Sequence, residues 1–252
     1  MNYDVLIIGA GQPEKYVEGL YKLGLATPLN LDIPSAAKKP NIRKPTKENW
    51  YKTALPWMSI GYETQVPPMN TLAFYNAIAN NGVMVKPKFV KAIMKDGQVV
   101  EEIPTEILNP AIASPKTIEQ IQTILQKVVS DGLAKPAGSK QFHVSGKTGT
   151  AQVSKGSGGY KSGQMQYLVS FCGYFPSEAP KYSCIVAIQK PGLPASGGLM
   201  AGSVFSEIAE RVYAKHLAQD LKEAKDSTSI LTPDVKHGNL ANARYILDEI
   251  ET

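Results

Sequence analysis

Eight residues, Ser145-Gly146-Lys147-Thr148-Gly149-Thr150-Ala151-Gln152, carry the densest chemistry in the sequence. Side chains alternate along an extended strand, so Thr148 and Thr150 are expected on one face and Lys147 on the other. Two hydroxyls at i and i+2 make a cup for a carboxylate, and the lysine adds positive potential beside it. Gly149 leaves the backbone bare between them, so a ligand can approach the strand closely. An extended peptide can then add to the strand by main-chain hydrogen bonds. Taken alone, the same residues also fit an ordinary exposed strand with threonines on one face.

Other chemistry-bearing residues are more dispersed. Ser35-Ala36-Ala37-Lys38 is a Ser-x-x-Lys match, but it follows Pro34 and runs into Lys39-Pro40, where no helix can align the two side chains. Ser130-Asp131-Gly132 reads as the end of a helix. Gly9-Ala10-Gly11 closes an apolar run and Asp32 lies about 20 residues on, a partial match to the opening of a dinucleotide-binding domain. Against it, Glu14 stands where a third glycine is needed and Pro28 interrupts the run, with no further strand–helix alternation. His143, His216 and His237 lie far apart, and with Cys172 and Cys184 they form no ligand spacing, so no metal and no cofactor is expected. The two cysteines sit on apolar runs and read as small buried thiols.

The elements that must position the central strand are legible as follows. A short helix is expected over 12–25, with Tyr16, Val17, Leu20, Tyr21 and Leu23 as its apolar side. Prolines break 27–50 into loop, and 55–62 is apolar and irregular. Helical spacing over 71–79 stops at Asn80-Asn81-Gly82, a left-handed cap. Alternation over 83–103 contains Asp96-Gly97, a hairpin turn. Ser114-Pro115 predicts a helix start, with Ile118, Ile121, Leu125 and Val128 on one face. The period then drops to two: 142–153, 167–175 and 182–189 are strand candidates, joined by connections short enough for antiparallel pairing. A glycine-rich loop over 191–202 leads to a long helix with a Val204, Phe205, Ile208, Val212, Tyr213, Leu217 stripe.

The 252 residues, 43% of them hydrophobic, are enough to bury a full core. A net charge of +5 is spread along the chain with no tight basic run, so nucleic acid is not an expected partner. No segment approaches the roughly 18 apolar residues of a membrane span, and the opening lacks the length and basic flank of a signal peptide.

Lys-Thr-Gly is one of three motifs, with Ser-x-x-Lys and Ser-x-Asn, that occur together in serine β-lactamases and penicillin-binding proteins. Here it is followed by Tyr167-Leu168-Val169-Ser170-Phe171-Cys172-Gly173-Tyr174-Phe175-Pro176, a third strand, Gly197-Gly198 and a last helix. It is preceded by Trp57-Met58-Ser59-Ile60-Gly61 and by the segment 66–82. In this order the segments, from about residue 12 to 221, closely resemble the C-terminal part of the transpeptidase domain of class B penicillin-binding proteins. One departure is Gly61-Tyr62-Glu63, where that family usually has Gly-Gln-Gly.

The resemblance implies an α/β (α+β) fold, an antiparallel sheet flanked by helices, and peptidoglycan D,D-transpeptidation through a serine acyl-enzyme. It implies electrostatic work for Lys147, carboxylate binding by Thr148 and Thr150 around Gly149, and an oxyanion-hole donor in the Thr150 backbone N–H. No Ser-x-Asn occurs and Ser35 is in the wrong setting, so the expectation is a fragment without its nucleophile and its first strands, inactive alone. Residues 1–11 would then be a leader of uncertain origin, either unrelated to the rest or a stand-in strand for the missing part of the sheet, 12–222 a partial transpeptidase domain and 223–252 a linker and tail. Expected partners are the peptidoglycan stem peptide, β-lactams and cell-wall synthesis proteins, with a parent that is membrane-anchored outside the cytoplasm. A non-catalytic peptide- or partner-binding module on the same fold remains the alternative, with a dinucleotide-binding protein through Gly9, Ala10 and Gly11 a more distant one.

Overall fold

Three antiparallel strands, β7 (Ser145–Val153), β8 (Gln166–Phe175) and β9 (Tyr182–Gln189), form the sheet that carries the Lys-Thr-Gly triplet. The computed structural model describes residues 12–31, 39–153 and 165–227, with side chains through residue 217. The run expected as an opening strand with Gly9-Ala10-Gly11, Asp32, the Ser35–Lys38 pair and the tail after 227 lie outside the described residues.

Elements α1 (Pro13–Lys22), β1 (Asn41–Ile42), α2 (Ala54–Ser59), β2 (Thr64–Gln65), α3 (Pro68–Ala79) and β3 (Met84–Val85) precede the sheet. They are followed by β4 (Ala92–Lys95), β5 (Gln98–Glu102), β6 (Ile107–Asn109) and α4 (Pro115–Ser130). After β9 come a π-helical turn (Gly197–Gly202) and α5 (Ser203–Ser227). The chain divides into two compact units, Met1–Glu210 and Arg211–Thr252.

Strand β8 is central, with Thr148 opposite Phe171 and Gly173 opposite Cys184. Its period-two alternation sorts two cores. Phe171 and Phe175 project to the side of α5, where Phe205 meets them at ring-centre distances of 4.7 and 5.8 Å. Tyr174 projects to the other side, into a cluster with Ala77 and Ile78 of α3, Met84, and Ile118 and Leu125 of α4. The sheet is therefore covered by helices on both faces. A smaller cluster of Val17, Ile42 and Met58 holds α1 and α2 together.

Local signals place the element ends. The Ser114 side chain accepts the Thr117 N–H at 3.2 Å with Pro115 behind it, as the N-cap reading requires. Asn81 (φ 52°) and Gly82 (φ 93°) end α3 in the left-handed region, and the Gly82 N–H reaches back to the Ala77 carbonyl at 2.7 Å. Asp96 and Gly97 are both left-handed, the turn that matches strand twist in a two-residue hairpin.

Four expectations are corrected. Residues 54–59 form helix α2, because Pro56 falls in the first turn where proline is tolerated and Leu55 and Met58 share a buried face. The alternation over 83–103 is interrupted and divides into β3, β4 and β5, with the expected Asp96-Gly97 hairpin formed by β4 and β5. Part of the glycine-rich loop winds into the π-helical turn. Finally, α5 buries Phe205 and Ala209 fully while Val204 and Ile208 stay 42% and 39% exposed. Both i, i+4 pairs fit a helix, and the aromatic slot between Phe171 and Phe175 selects the one that contains Phe205.

Candidate active-site edge on strand β7

Strand β7 has β8 on one side, and its other edge is open among the described residues. The Gln152 N–H donates to the Tyr62 hydroxyl at 3.0 Å, so residue 152 points away from β8. Period two then sends the N–H and C=O groups of Thr148 and Thr150 to the same open edge. Gly149 faces inward, opposite Ser170. The structure thus places the Thr150 N–H at a sheet edge, where it can donate to an incoming oxygen.

The side chains follow a subtler geometry than strict alternation. Thr148 and Thr150 both face the π-helical turn. The Thr150 hydroxyl accepts the Gly197 N–H at 3.2 Å, and the Thr148 methyl lies 3.6 Å from where a Gly198 side chain would begin. The Lys147 Cβ starts on the opposite face, but its four-carbon stem folds around the edge. Its ammonium donates to the Thr148 carbonyl at 3.0 Å and to the Thr148 hydroxyl at 3.4 Å. The expected separation of Lys147 from the threonines is therefore corrected: cation, hydroxyl and open-edge backbone converge. Because Thr150 Oγ1 already accepts from Gly197, its own proton can be donated outward.

Glycines make this packing possible. A Cβ on Gly197 would stand 2.4 Å from the Gly149 carbonyl oxygen and 2.7 Å from that of Ser170. One on Gly198 would stand 2.4 Å from the Leu133 carbonyl oxygen. Only bare backbone brings the π-helical turn onto β7 and β8 closely enough for its first N–H to reach Thr150. The Gly197-Gly198 pair is the sequence signal for this second wall.

Residues on the far face of β8 do not join the edge. Burial pushes the Cys172 thiol up, with Cys184 adding to the effect, and the neighbouring Tyr75 hydroxyl is raised in the same way. A buried thiol held protonated is a packing group, not a nucleophile. Ser130 closes α4, where the Asp131 N–H bonds the Lys127 carbonyl at 2.9 Å, so the helix-end reading of 130–132 is what the structure shows. His143 pairs instead with Glu178, outside the edge, a contact nothing in the sequence signalled.

The loop before α3 was not legible as part of this site. Tyr62 reaches β7 because Gly61 (φ 96°) and Glu63 (φ 60°) are both left-handed around it. The Glu63 carboxylate accepts from Arg43 and Tyr51, which holds a non-glycine residue in that conformation. The departure from Gly-Gln-Gly at 61–63 was the one available clue.

Comparison with known proteins identifies the family and the fold. Residues 9–210 match the family model for the penicillin binding protein transpeptidase domain. Penicillin-binding protein PbpB of Mycolicibacterium smegmatis is 28% identical over 215 residues, 81% of this chain and 32% of that protein. The peptidoglycan D,D-transpeptidase FtsI homolog of Mesostigma viride is 27% identical over 79% of this chain and 35% of its own length. The chain spans about a third of these curated relatives. Among solved structures, the apo TP domain of Burkholderia pseudomallei penicillin-binding protein 3 is 26% identical with a TM-score of 0.66, covering 84% of this chain and 60% of that one. Penicillin binding protein 3 of Mycobacterium tuberculosis in complex with ampicillin gives 26% and 0.68, over 81% of this chain and 46% of that one. The family match over most of the chain, the α+β fold with its antiparallel sheet, and the Lys-Thr-Gly strand agree, and the chain belongs to the penicillin-binding protein transpeptidase family, of the class B type.

Proposed function

We propose that this chain supplies the substrate-docking and oxyanion wall of a peptidoglycan D,D-transpeptidase. The observation that carries the reading is the open β7 edge, where the Lys147 ammonium, the threonine hydroxyls and the outward Thr150 N–H converge. In this reading the terminal carboxylate of a D-Ala-D-Ala peptide, or of a β-lactam, lies against the Thr148 and Thr150 hydroxyls beside Gly149, with Lys147 supplying positive charge. The scissile carbonyl receives the Thr150 N–H. A donor placed where negative charge grows stabilises the tetrahedral intermediate of acyl transfer. Residues 12–222 act as the transpeptidase portion, and the acylated serine comes from outside the described residues, among which no Ser-x-x-Lys occurs. The parent protein works outside the cytoplasm, anchored to the membrane and in contact with cell-wall synthesis proteins. No described helix is long and apolar enough to cross a membrane.

The test is a backbone-amide NMR titration of the 252-residue chain with benzylpenicillin, alongside labelled penicillin and denaturing electrophoresis. Reversible shifts at Thr148 and Thr150 without a covalent band are expected. Lys147→Met should weaken binding about tenfold, the scale of a charge-assisted hydrogen bond. Unmoved Thr148 and Thr150 amides would overturn the docking role, and a covalent band would overturn the expectation that this chain is not itself acylated.

A further inference from the structure

Tyr62 Oη lies 3.0 Å from the Gln152 nitrogen, inside the 2.7–3.2 Å range of a ladder hydrogen bond. It therefore stands where the carbonyl oxygen of a strand added to β7 would stand. Gln152 is the next outward residue after Thr150, about 7 Å along the strand at two residues of roughly 3.4 Å each.

The hydroxyl is held there from several directions. The Tyr62 N–H bonds the Trp57 carbonyl at 3.0 Å, and the Gly61 N–H bonds that of Met58 at 3.0 Å. The Trp57 and Tyr62 rings meet edge to face at 5.3 Å. On the far side of the loop, Glu63 is fixed by Arg43 and Tyr51, and the chain then enters β2, where Thr64 pairs with Ile42. Two left-handed residues in three, one of them non-glycine, bring a single phenol to a strand edge.

The geometry points to Tyr62 as a specificity-determining residue that stops the acyl-donor peptide at Gln152. This rests on the docking role proposed for the β7 edge. With the scissile carbonyl at the Thr150 N–H, the ligand residue that owns it pairs with Thr150. Ladder pairing recurs every second residue, so the next ligand residue able to pair lies two positions further from the ligand's C-terminus. Its place at Gln152 is taken. The docked peptide pairs at Thr150 and then leaves the edge, so the enzyme reads the last residues of its donor closely and the preceding ones only loosely. A ligand too short to reach Gln152 does not sense Tyr62 at all.

Tyr62→Ala removes the hydroxyl together with the ring behind it, so that the carbonyl of a ligand can reach the Gln152 N–H. The 252-residue chain and this variant would each be titrated with acetyl-D-Ala-D-Ala and with an acetylated tetrapeptide of the same C-terminus, and backbone amides followed by NMR. In the unaltered chain both ligands should shift Thr148 and Thr150, leave Gln152 unmoved and bind within about twofold of each other. In Tyr62→Ala the tetrapeptide should shift Gln152 and bind about fivefold tighter, the scale of one added net hydrogen bond, with the dipeptide unchanged. A Gln152 amide that moves with the tetrapeptide in the unaltered chain, or stays silent in the variant while Thr150 responds, overturns the stop. If neither ligand moves Thr148 or Thr150 in either protein, the docking role itself fails and the stop falls with it.

Discussion

Replacing Gly197 by alanine tests whether the π-helical turn is a tightly fitted wall of the site or merely a neighbouring loop. The added Cβ would stand 2.4 Å from the Gly149 carbonyl oxygen and 2.7 Å from that of Ser170, whereas ordinary contact begins near 3.4 Å. Both obstacles are backbone atoms of the β7–β8 pair, fixed by the ladder, so the turn must retreat by about 1 Å. Overpacking of this kind costs about 1–3 kcal/mol. The Gly197 N–H to Thr150 Oγ1 bond, already 3.2 Å, would be broken, losing about 1 kcal/mol more. A total of about 2–4 kcal/mol, at roughly 2–4 °C per kcal/mol for a chain of this size, lowers Tm by about 4–16 °C. Gly19→Ala is the control: nothing lies within 4 Å of its added Cβ in the middle of α1, and gaining a helix former there should stabilise by about 0.5–1 kcal/mol. Thermal unfolding followed by circular dichroism reads both. A Gly197→Ala chain melting within about 2 °C of the unaltered one would refute the reasoning.

Phe205 is fully buried between Phe171 and Phe175, so Phe205→Ala should cost about 3–5 kcal/mol in urea unfolding. Ser114→Ala removes the acceptor of the Thr117 N–H and should cost about 1 kcal/mol in the same measurement. At pH 8.5 half-buried Cys184 should be alkylated slowly by iodoacetamide, and Cys172 only on unfolding, since burial raises both thiols and Cys172 more. Mass spectrometry of the peptides separates the two. Cys172 and Tyr75 ionise later in the folded chain than in the unfolded one. Their contribution to stability is therefore complete below the unfolded values and declines above about pH 9, as urea midpoints across pH would show.

What was legible in the sequence follows from how local each signal is. Strand β9 matches its expected span to the residue, and the Ser114 cap, the Asp96-Gly97 turn and the end of α3 were read correctly, because each depends on a few neighbouring residues. The choice between the Val204/Ile208 and Phe205/Ala209 faces of α5 was not legible, since both have helical spacing and the decision is made by Phe171 and Phe175 some 30 residues earlier. The same limit applies to the site. Lys147, Thr148, Gly149 and Thr150 announce themselves as a motif, but the fold of the Lys147 stem around the edge does not. Gly197 and Tyr62 reach β7 from 47 and 90 residues away, and the contacts that bring them there are tertiary.

Those long-range contacts explain how an exposed strand edge can serve as a site at all. An open edge offers unpaired N–H and C=O groups to any extended chain, which makes it prone to unwanted pairing. On β7 the flanking positions are covered by the chain's own side chains. The Lys147 ammonium sits on the Thr148 carbonyl, and the Tyr62 hydroxyl sits on the Gln152 N–H. Thr150 lies between them with its N–H and C=O facing outward. The opening is therefore about one ladder residue wide, centred on the group proposed to meet the oxyanion. A long indiscriminate strand would have to displace both covers, while a short ligand with a carboxylate displaces neither and gains the lysine's charge. In the proposed reading the same two side chains limit unwanted strand addition and set selectivity, so Lys147→Met and Tyr62→Ala should have opposite signatures: the first weakens every carboxylate ligand, the second strengthens only long ones.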